Sequence, residues 1–370
     1  MTFTPLRFQS ALAAGGLALM PFVLMQFTFP RAGALVSIDD LAGRHDAAAL
    51  FLLAVMLLGT VLHFYLIVRM SHEFLRWRRS GSAMRDFLAD PAINVGIFSP
   101  VVALGMTANV VLGPAAFFFP GFSAQVPALL GYGIYPYALL FLALLWISVT
   151  VGKTWLFRDG AAATFNYNWL LDVFAWGMIA LAGAGVTMTA TDPRVAAAGS
   201  VLTLCAISIG LFIYGVKGMY LILAQMTRGD TPTEALKPAH FIVVPINCLF
   251  AISIYKIADY TQATLGVDVD ALAFASVAIL FALSLFWIAL CAIAFRDWFL
   301  HQFPKPDFYP AQWGLVCVLV GLEVLAIYSH VAYYPSLLFI GFSYLSIAAA
   351  AAIYAFVYLK FVGVIKPAHA

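Results

Sequence analysis

Residues 237–260 read KPAHFIVVPINCLFAISIYKIADY. A polar lead, Lys237-Pro238-Ala239-His240, precedes an apolar run of about the 20 residues that cross a bilayer once as a helix. Pro245 and Asn247 stand early in this run, and Lys256 and Asp259 stand near its far end. Proline, an amide and two ionisable groups are costly against hydrocarbon, so this helix is expected to face protein or a watery cavity rather than lipid.

The rest of the chain has the same character. Of 370 residues, 64% are hydrophobic and 10% charged, and the mean hydropathy is +0.97. A soluble domain carries about a quarter charged residues, so the composition defines an all-α polytopic membrane protein and excludes a soluble one. A formal charge of +2 says nothing about a nucleic-acid partner, and none is expected. Cys205, Cys248, Cys291 and Cys317 all lie inside apolar runs with no CxxC pair, which reads as small buried hydrophobes and not as a metal or redox site. Arg7 precedes an apolar run interrupted by Pro21 with no clear cleavage site after it, so a first spanning helix is expected there and not a removed signal peptide.

Hydropathy predicts ten spans, at about 9–29, 47–69, 92–118, 125–151, 168–190, 195–226, 241–263, 270–296, 312–332 and 336–361, in a single transmembrane domain over 1–370. The basic residues test the count. With loops assigned alternately, fourteen Lys and Arg fall on one side, among them Arg76, Arg78, Arg79, Arg85 and Arg158. Only Arg31, Arg44 and Arg194 fall on the other, and Lys217 and Lys256 lie within spans. The positive-inside rule then places both termini in the cytoplasm of a cell inner (plasma) membrane protein. The run Arg76-Trp77-Arg78-Arg79 reads as a topology determinant in contact with lipid headgroups.

The polar connections 70–91, 152–167, 227–240 and 297–311 are long and fall on the basic side. The chain therefore reads as five helical hairpins, their odd members starting about 71 to 83 residues apart. Odd spans hold the perturbing residues: Pro21 in the first; Pro100 and Asn109 in the third; Asp172 and Gly177 in the fifth; Pro245 and Asn247 in the seventh; Gly321 and Glu323 in the ninth. Proline removes a ladder hydrogen bond and glycine lets backbones approach. Even spans such as LLFLALLWISVTV are uniformly apolar. The simplest arrangement sets odd helices inside and even helices toward lipid.

This layout resembles the tellurite-resistance/dicarboxylate transporter family, which includes bacterial tellurite-resistance proteins and the slow anion channels of plant guard cells. The residues that carry the resemblance are His240-Phe241-Ile242-Val243-Val244-Pro245 with Ala251, the run 90–100 (DPAINVGIFSP), Asn168-Trp169-Leu170 opening the fifth span, and Phe308 to Trp313 opening the ninth. The resemblance covers nearly the whole chain in layout, through short motifs. It implies a quasi-fivefold central pore lined by the odd helices, small anions as cargo, no cofactor, and a homotrimer. In that family a phenylalanine a few residues after a tryptophan of the ninth helix plugs the pore. Counted from Trp313, the matching position here is Cys317, with Val318 where a proline often stands. The phenylalanine gate is therefore not carried over, and Phe174 is the alternative aromatic on an odd helix.

The expected activity is transmembrane transport of small anions, by channel or carrier: an inorganic anion, an oxyanion such as tellurite or sulfite, or a C4-dicarboxylate. The pore-lining candidates are Pro21, Pro100, Asn109, Phe174, Gly177, Pro245, Asn247, Cys317, Gly321 and Glu323, and the charge candidates are Lys256 and Asp259. Lys256 either attracts anions at the outer end of the path, or snorkels to the interface or pairs with Asp259 one turn on. Glu323, mid-span, either pairs with Lys256, is protonated, or couples proton movement to transport. Asp172 reads as a charge at a helix N-terminus, and Lys217 as snorkelling or paired to it. His63 and His330 read as interfacial. The alternatives are a proton-coupled carrier using Glu323, or a membrane enzyme or receptor of unknown activity. Against an enzyme, the sequence offers no HExxH, no histidines at ligand spacing and no acidic cluster.

Overall fold

The computed structural model describes residues 3–31, 33–41, 46–79, 81–157, 165–228 and 232–365. Arg44, Arg158 and Lys366, which enter the charge distribution above, lie outside them. Ten long apolar helices are present and no strand occurs among the described residues. They are α1 Pro5–Thr28, α2 Ala47–Arg79, α3 Asn94–Ala115, α4 Pro120–Leu156, α5 Tyr167–Thr189, α6 Pro193–Thr227, α7 Lys237–Leu265, α8 Asp270–Ala294, α9 Pro310–Ala332 and α10 Leu337–Phe361. By length and composition each is a candidate membrane span, so this is a multi-pass membrane protein.

Several helices outrun their apolar stretches. α2 continues to Arg79 and α4 begins at Pro120 and ends at Leu156, where hydropathy alone predicts 47–69 and 125–151. Backbone hydrogen bonding does not stop where the side chains become polar. The α2 extension carries the exposed Arg76, Arg78 and Arg79. It is tied to the start of the chain through Glu73, which accepts from Arg7 Nη1 (2.6 Å) and Arg69 Nε (3.1 Å).

Burial separates the helices by parity. Between 67% and 89% of the apolar window is buried in α1, α3, α5, α7 and α9, against 17% to 44% in the even helices. The even helices present large side chains such as Leu58, Leu139, Trp146, Phe212 and Phe286 to the outside. In a bilayer such faces meet lipid tails of the same polarity. The odd helices pack in sequence, α1 on α3, α3 on α5, α5 on α7 and α7 on α9, and α9 packs back on α1. Each even helix lies against the odd helix before it and the odd helix after it, with α10 bridging α9 and α1. The hairpin α3–α4 departs from the others, because α4 packs mainly on α5 and less on α3.

All five odd helices open with a 3-10 turn, at Pro5–Phe8, Asn94–Ile97, Tyr167–Leu170, Lys237–Ile242 and Pro310–Trp313. Proline stands first or second in three of them, where its missing N–H breaks no bond. Asn166 caps a fourth by accepting from the Asn168 N–H. This places Pro245 and Pro100 differently from a mid-span kink. Each is the third residue of the regular α-helix that follows its opening turn (Val243–Leu265 and Phe98–Val110). Pro21 does lie inside a regular helix, as Pro127 and Pro136 do in α4. α3 ends in a π-helical turn, Val111–Ala115, around Pro114.

Candidate functional site

Two cavities lie inside the ring of odd helices, with volumes of ≈ 30 Å³ and ≈ 40 Å³. The first is bordered by residues at the openings of the odd helices, among them Asn168, Pro238 and Trp313 of the opening turns and Gln9 directly after one. The second lies deeper and is bordered by Gly16, Met106, Met178, Cys248 and Gly321. Leu12, Phe174, Pro245 and Cys317 line both, one residue each from α1, α5, α7 and α9. These four are shared by the two cavities. A water needs roughly 10–15 Å³ of such volume, so each cavity admits a few waters at most.

Four of the sequence candidates therefore meet at these cavities: Phe174, Pro245, Cys317 and Gly321. Gly321 also sets how closely two helices approach. A Cβ added there would stand 3.2 Å from Pro245 Cα and 3.3 Å from Cys248 Cβ. Pro21, Pro100, Asn109, Gly177, Asn247 and Glu323 border neither cavity. Gly177 receives α7, since a Cβ on it would meet Leu249 at 3.1 Å. The Asn109 amide points across to Met178 Sδ at 3.5 Å. Asn247 is turned outward: Tyr214 of α6 donates to its Oδ1 (2.9 Å), and its Nδ2 donates to Ser284 of α8 (3.2 Å).

Lys256 forms no ion pair or hydrogen bond with the described residues, Asp259 and Glu323 included. It lies eleven residues beyond Pro245, three helical turns or roughly 16 Å along α7, on the same stripe as Pro245 and Cys248. Asp259 is exposed at the outer end of the helix. Glu323 is fully buried, and neither carboxylate oxygen has a hydrogen-bond partner.

Asp172 and Lys217 do pair, with Nζ 2.7 Å from Oδ2 and both side chains buried. Lys217 also donates to the Trp169 carbonyl (3.0 Å), and its Nζ stands 3.8 Å and 4.2 Å from the ring centres of Trp155 and Trp169. A second cluster adjoins this aromatic cage. Trp155 Nε1–H donates to Asn94 Oδ1 (2.9 Å), and Asn94 Nδ2 donates to Thr154 Oγ1 (2.9 Å) and Leu88 O (3.2 Å). Together these residues join the openings of α3 and α5 to α4 and α6. The sequence reading missed Trp155 and Asn94, for which the only signal is a polar or amphipathic residue at a helix end.

His63 corrects the interfacial reading. It is fully buried, and its Nδ1–H donates to the Ala11 carbonyl (2.8 Å) while Nε2 lies 3.0 Å from Thr107 Oγ1. It thus bridges α1, α2 and α3. His330 does lie at a helix end, beside the Ser336 backbone. No group of three or more metal-ligating side chains occurs among the described residues.

No protein-family model matches the chain, and no curated protein matches it.

Proposed function

We propose that the protein transports small anions across a membrane, along the axis of a pore lined by the five odd helices. In this reading the five hairpins are arranged about a quasi-fivefold axis, the basic loops and both termini face the cytoplasm of the inner (plasma) membrane, and the chain is a member of the tellurite-resistance/dicarboxylate transporter family that assembles as a trimer. The observation that carries it is the pair of cavities inside a closed ring of buried helices, with Leu12, Phe174, Pro245 and Cys317 lining both; in this reading those four form an apolar constriction between them. Hydrophobic constrictions of this kind gate by excluding water. Phe174 is the bulky member and takes the role of the plug, with Cys317 too small for it. Lys256, without a carboxylate partner on the stripe of α7 that borders the cavities, supplies attraction for an anion beyond the constriction.

Purified protein in liposomes tests this with a panel of chloride, nitrate, sulfite, tellurite and C4-dicarboxylates, the potential being set by a potassium gradient and ionophore. Selective anion flux is expected, raised by Phe174→Ala and lowered by Lys256→Gln. Absence of flux for every anion in both the wild type and Phe174→Ala would sink the reading.

A further inference from the structure

We infer that Glu323 is a proton-binding site whose occupancy is linked to opening of the ring: the proton is held when the ring is shut and released when it opens. The argument begins with satisfaction of polar groups. Glu323 has no exposed surface, and Oε1 and Oε2 both lack a partner. A carboxylate buried in low dielectric without a cation or donor is far costlier than the neutral acid. The shut arrangement therefore holds the acid.

Among the described residues, the surroundings contain nothing that would take over the proton's role. α1, which packs on α9, has no ionisable side chain along Gln9–Thr28. From α7 the group in electrostatic reach is Cys248, a thiol that supplies no positive charge. Tyr255, Lys256 and Asp259 lie further out on that helix, and Lys256 makes no ion pair with Glu323. α8 carries Asp270 and Cys291 near its two ends. On α10, Lys360 donates to the Phe303 carbonyl at the far end, and Tyr344, Tyr354 and Tyr358 bring no cation. On α9 itself, Tyr328 and His330 lie beyond Glu323, and His330 is engaged with Ser336. In the turn that opens α7, Lys237 pairs with Glu234 and His240 lies against Tyr167.

Position supplies the link to opening. Glu323 follows by two residues the glycine at which α9 touches α7, and that contact, Gly321 on Pro245 and Cys248, forms part of the wall of the second cavity. Glu323 itself lies on a different face of α9 from Gly321, about 200° around, but it is in electrostatic reach of Cys248 on that seam, so loss of the proton places an unpaired charge in reach of it. Parting of α7 and α9 relieves it by admitting water, into which the proton is released, or by bringing Lys256 closer. The sign follows by linkage. The shut ring binds the proton more tightly than the open one, so proton binding favours the shut ring and rising pH favours the open one.

The inference rests on the transport reading, which supplies the opening of the ring, and its measurements are chosen so that the two can fail separately. Anion flux is measured across a pH series for the wild type, Glu323→Gln and Glu323→Asp in liposomes. In parallel, the rate at which Cys317 reacts with a methanethiosulfonate reagent reports opening without reference to transport, with Glu323→Gln correcting for the pH dependence of the thiol itself. Infrared difference spectra, wild type minus Glu323→Gln, report the carboxyl proton directly. Expected are a protonated-carboxyl band that fades as pH rises, and a rise in flux and Cys317 labelling of at least about 5-fold, the low end of ordinary site–site coupling. Glu323→Gln is expected to stay at the low-pH level throughout, while Glu323→Asp keeps a pH dependence. An unchanged pH profile in Glu323→Gln, or absence of the carboxyl band, overturns the inference. If no anion crosses under any condition, the transport reading fails alone, and the labelling and infrared measurements still decide the proton site. If Glu323→Gln does not fold, the wild-type band, identified by its shift in deuterated water, and the Glu323→Asp profile decide it.

Discussion

Replacement of Lys217 by methionine isolates the one ion pair whose side chains are both deeply buried among the described residues. Lys217→Met leaves the Asp172 carboxylate, 3% exposed, with the Val173 N–H as its remaining bonded neighbour. Removing one partner of a buried pair costs about 3–5 kcal/mol, because the survivor loses its partner in a desolvated site and either stays charged there or must take up a proton. At an unfolding entropy of ~2.1 cal/mol/K per residue, the 370 residues unfold with ~0.8 kcal/mol/K, and the midpoint drops by about 4–6 °C. Membrane helices retain much of their helicity on heating, so the true entropy is smaller and the shift at least this large. Asp172→Leu combined with Lys217→Met removes both charges, and apolar replacement of a whole buried pair is about neutral or stabilising. The double variant should therefore return to the wild-type midpoint or exceed it, with the introduced thioether lying against Trp155 and Trp169. The assay is the fraction of detergent-solubilised protein that stays monodisperse in size-exclusion chromatography after heating. The reasoning is refuted if the single variant loses under ~1 °C, or if the double variant falls as far as the single.

Three further outcomes follow from the packing. Gly59→Ala should destabilise by at least the ~1–3 kcal/mol of ordinary overpacking, since its Cβ would stand 2.8 Å from Ala18 N and 3.0 Å from Ala14 O, backbone atoms that cannot rotate away. Gly215→Ala on α6, with nothing within 4 Å of the added carbon, should be neutral or slightly stabilising by the same heating assay. Asn94→Ala should cost about 1–3 kcal/mol for each buried group it leaves unpaired, and should raise proteolysis at the junction of α3, α4 and α5.

The count of ten helices and the division between buried and lipid-facing members were legible because composition reports the solvent each helix meets. A helix with Pro21 or with Glu323 is one that lipid would penalise, whichever way the side chain points. Azimuth is a different matter. Asn247 and Cys248 are adjacent in sequence and about 100° apart around the helix, so one turns outward to Tyr214 and Ser284 while the other borders a cavity. No periodicity sorts them, because both faces of α7 contact protein. Pairing was open for the same reason. Lys217 has Asp172 as its partner and Lys256 has none, although Asp259 follows it by only three residues. His63 was misplaced because a histidine in an apolar run looks alike at the interface and at the core. The backbone acceptor that holds it belongs to a helix 52 residues away.

The shared 3-10 openings of the odd helices have an electrostatic consequence. Residues of three of them, Asn168, Pro238 and Trp313, and Gln9 directly after a fourth, gather around the first cavity, which means that N-terminal ends converge there. Each helix carries about half an elementary positive charge at that end from its aligned peptide dipoles. Four such ends supply about two positive charges without a single basic side chain, in a position that neither a charge count nor a list of lysines records. The even helices run the other way but stand further from the axis. Under the transport reading, an anion at the first cavity would be met by this backbone field as well as by any side-chain charge.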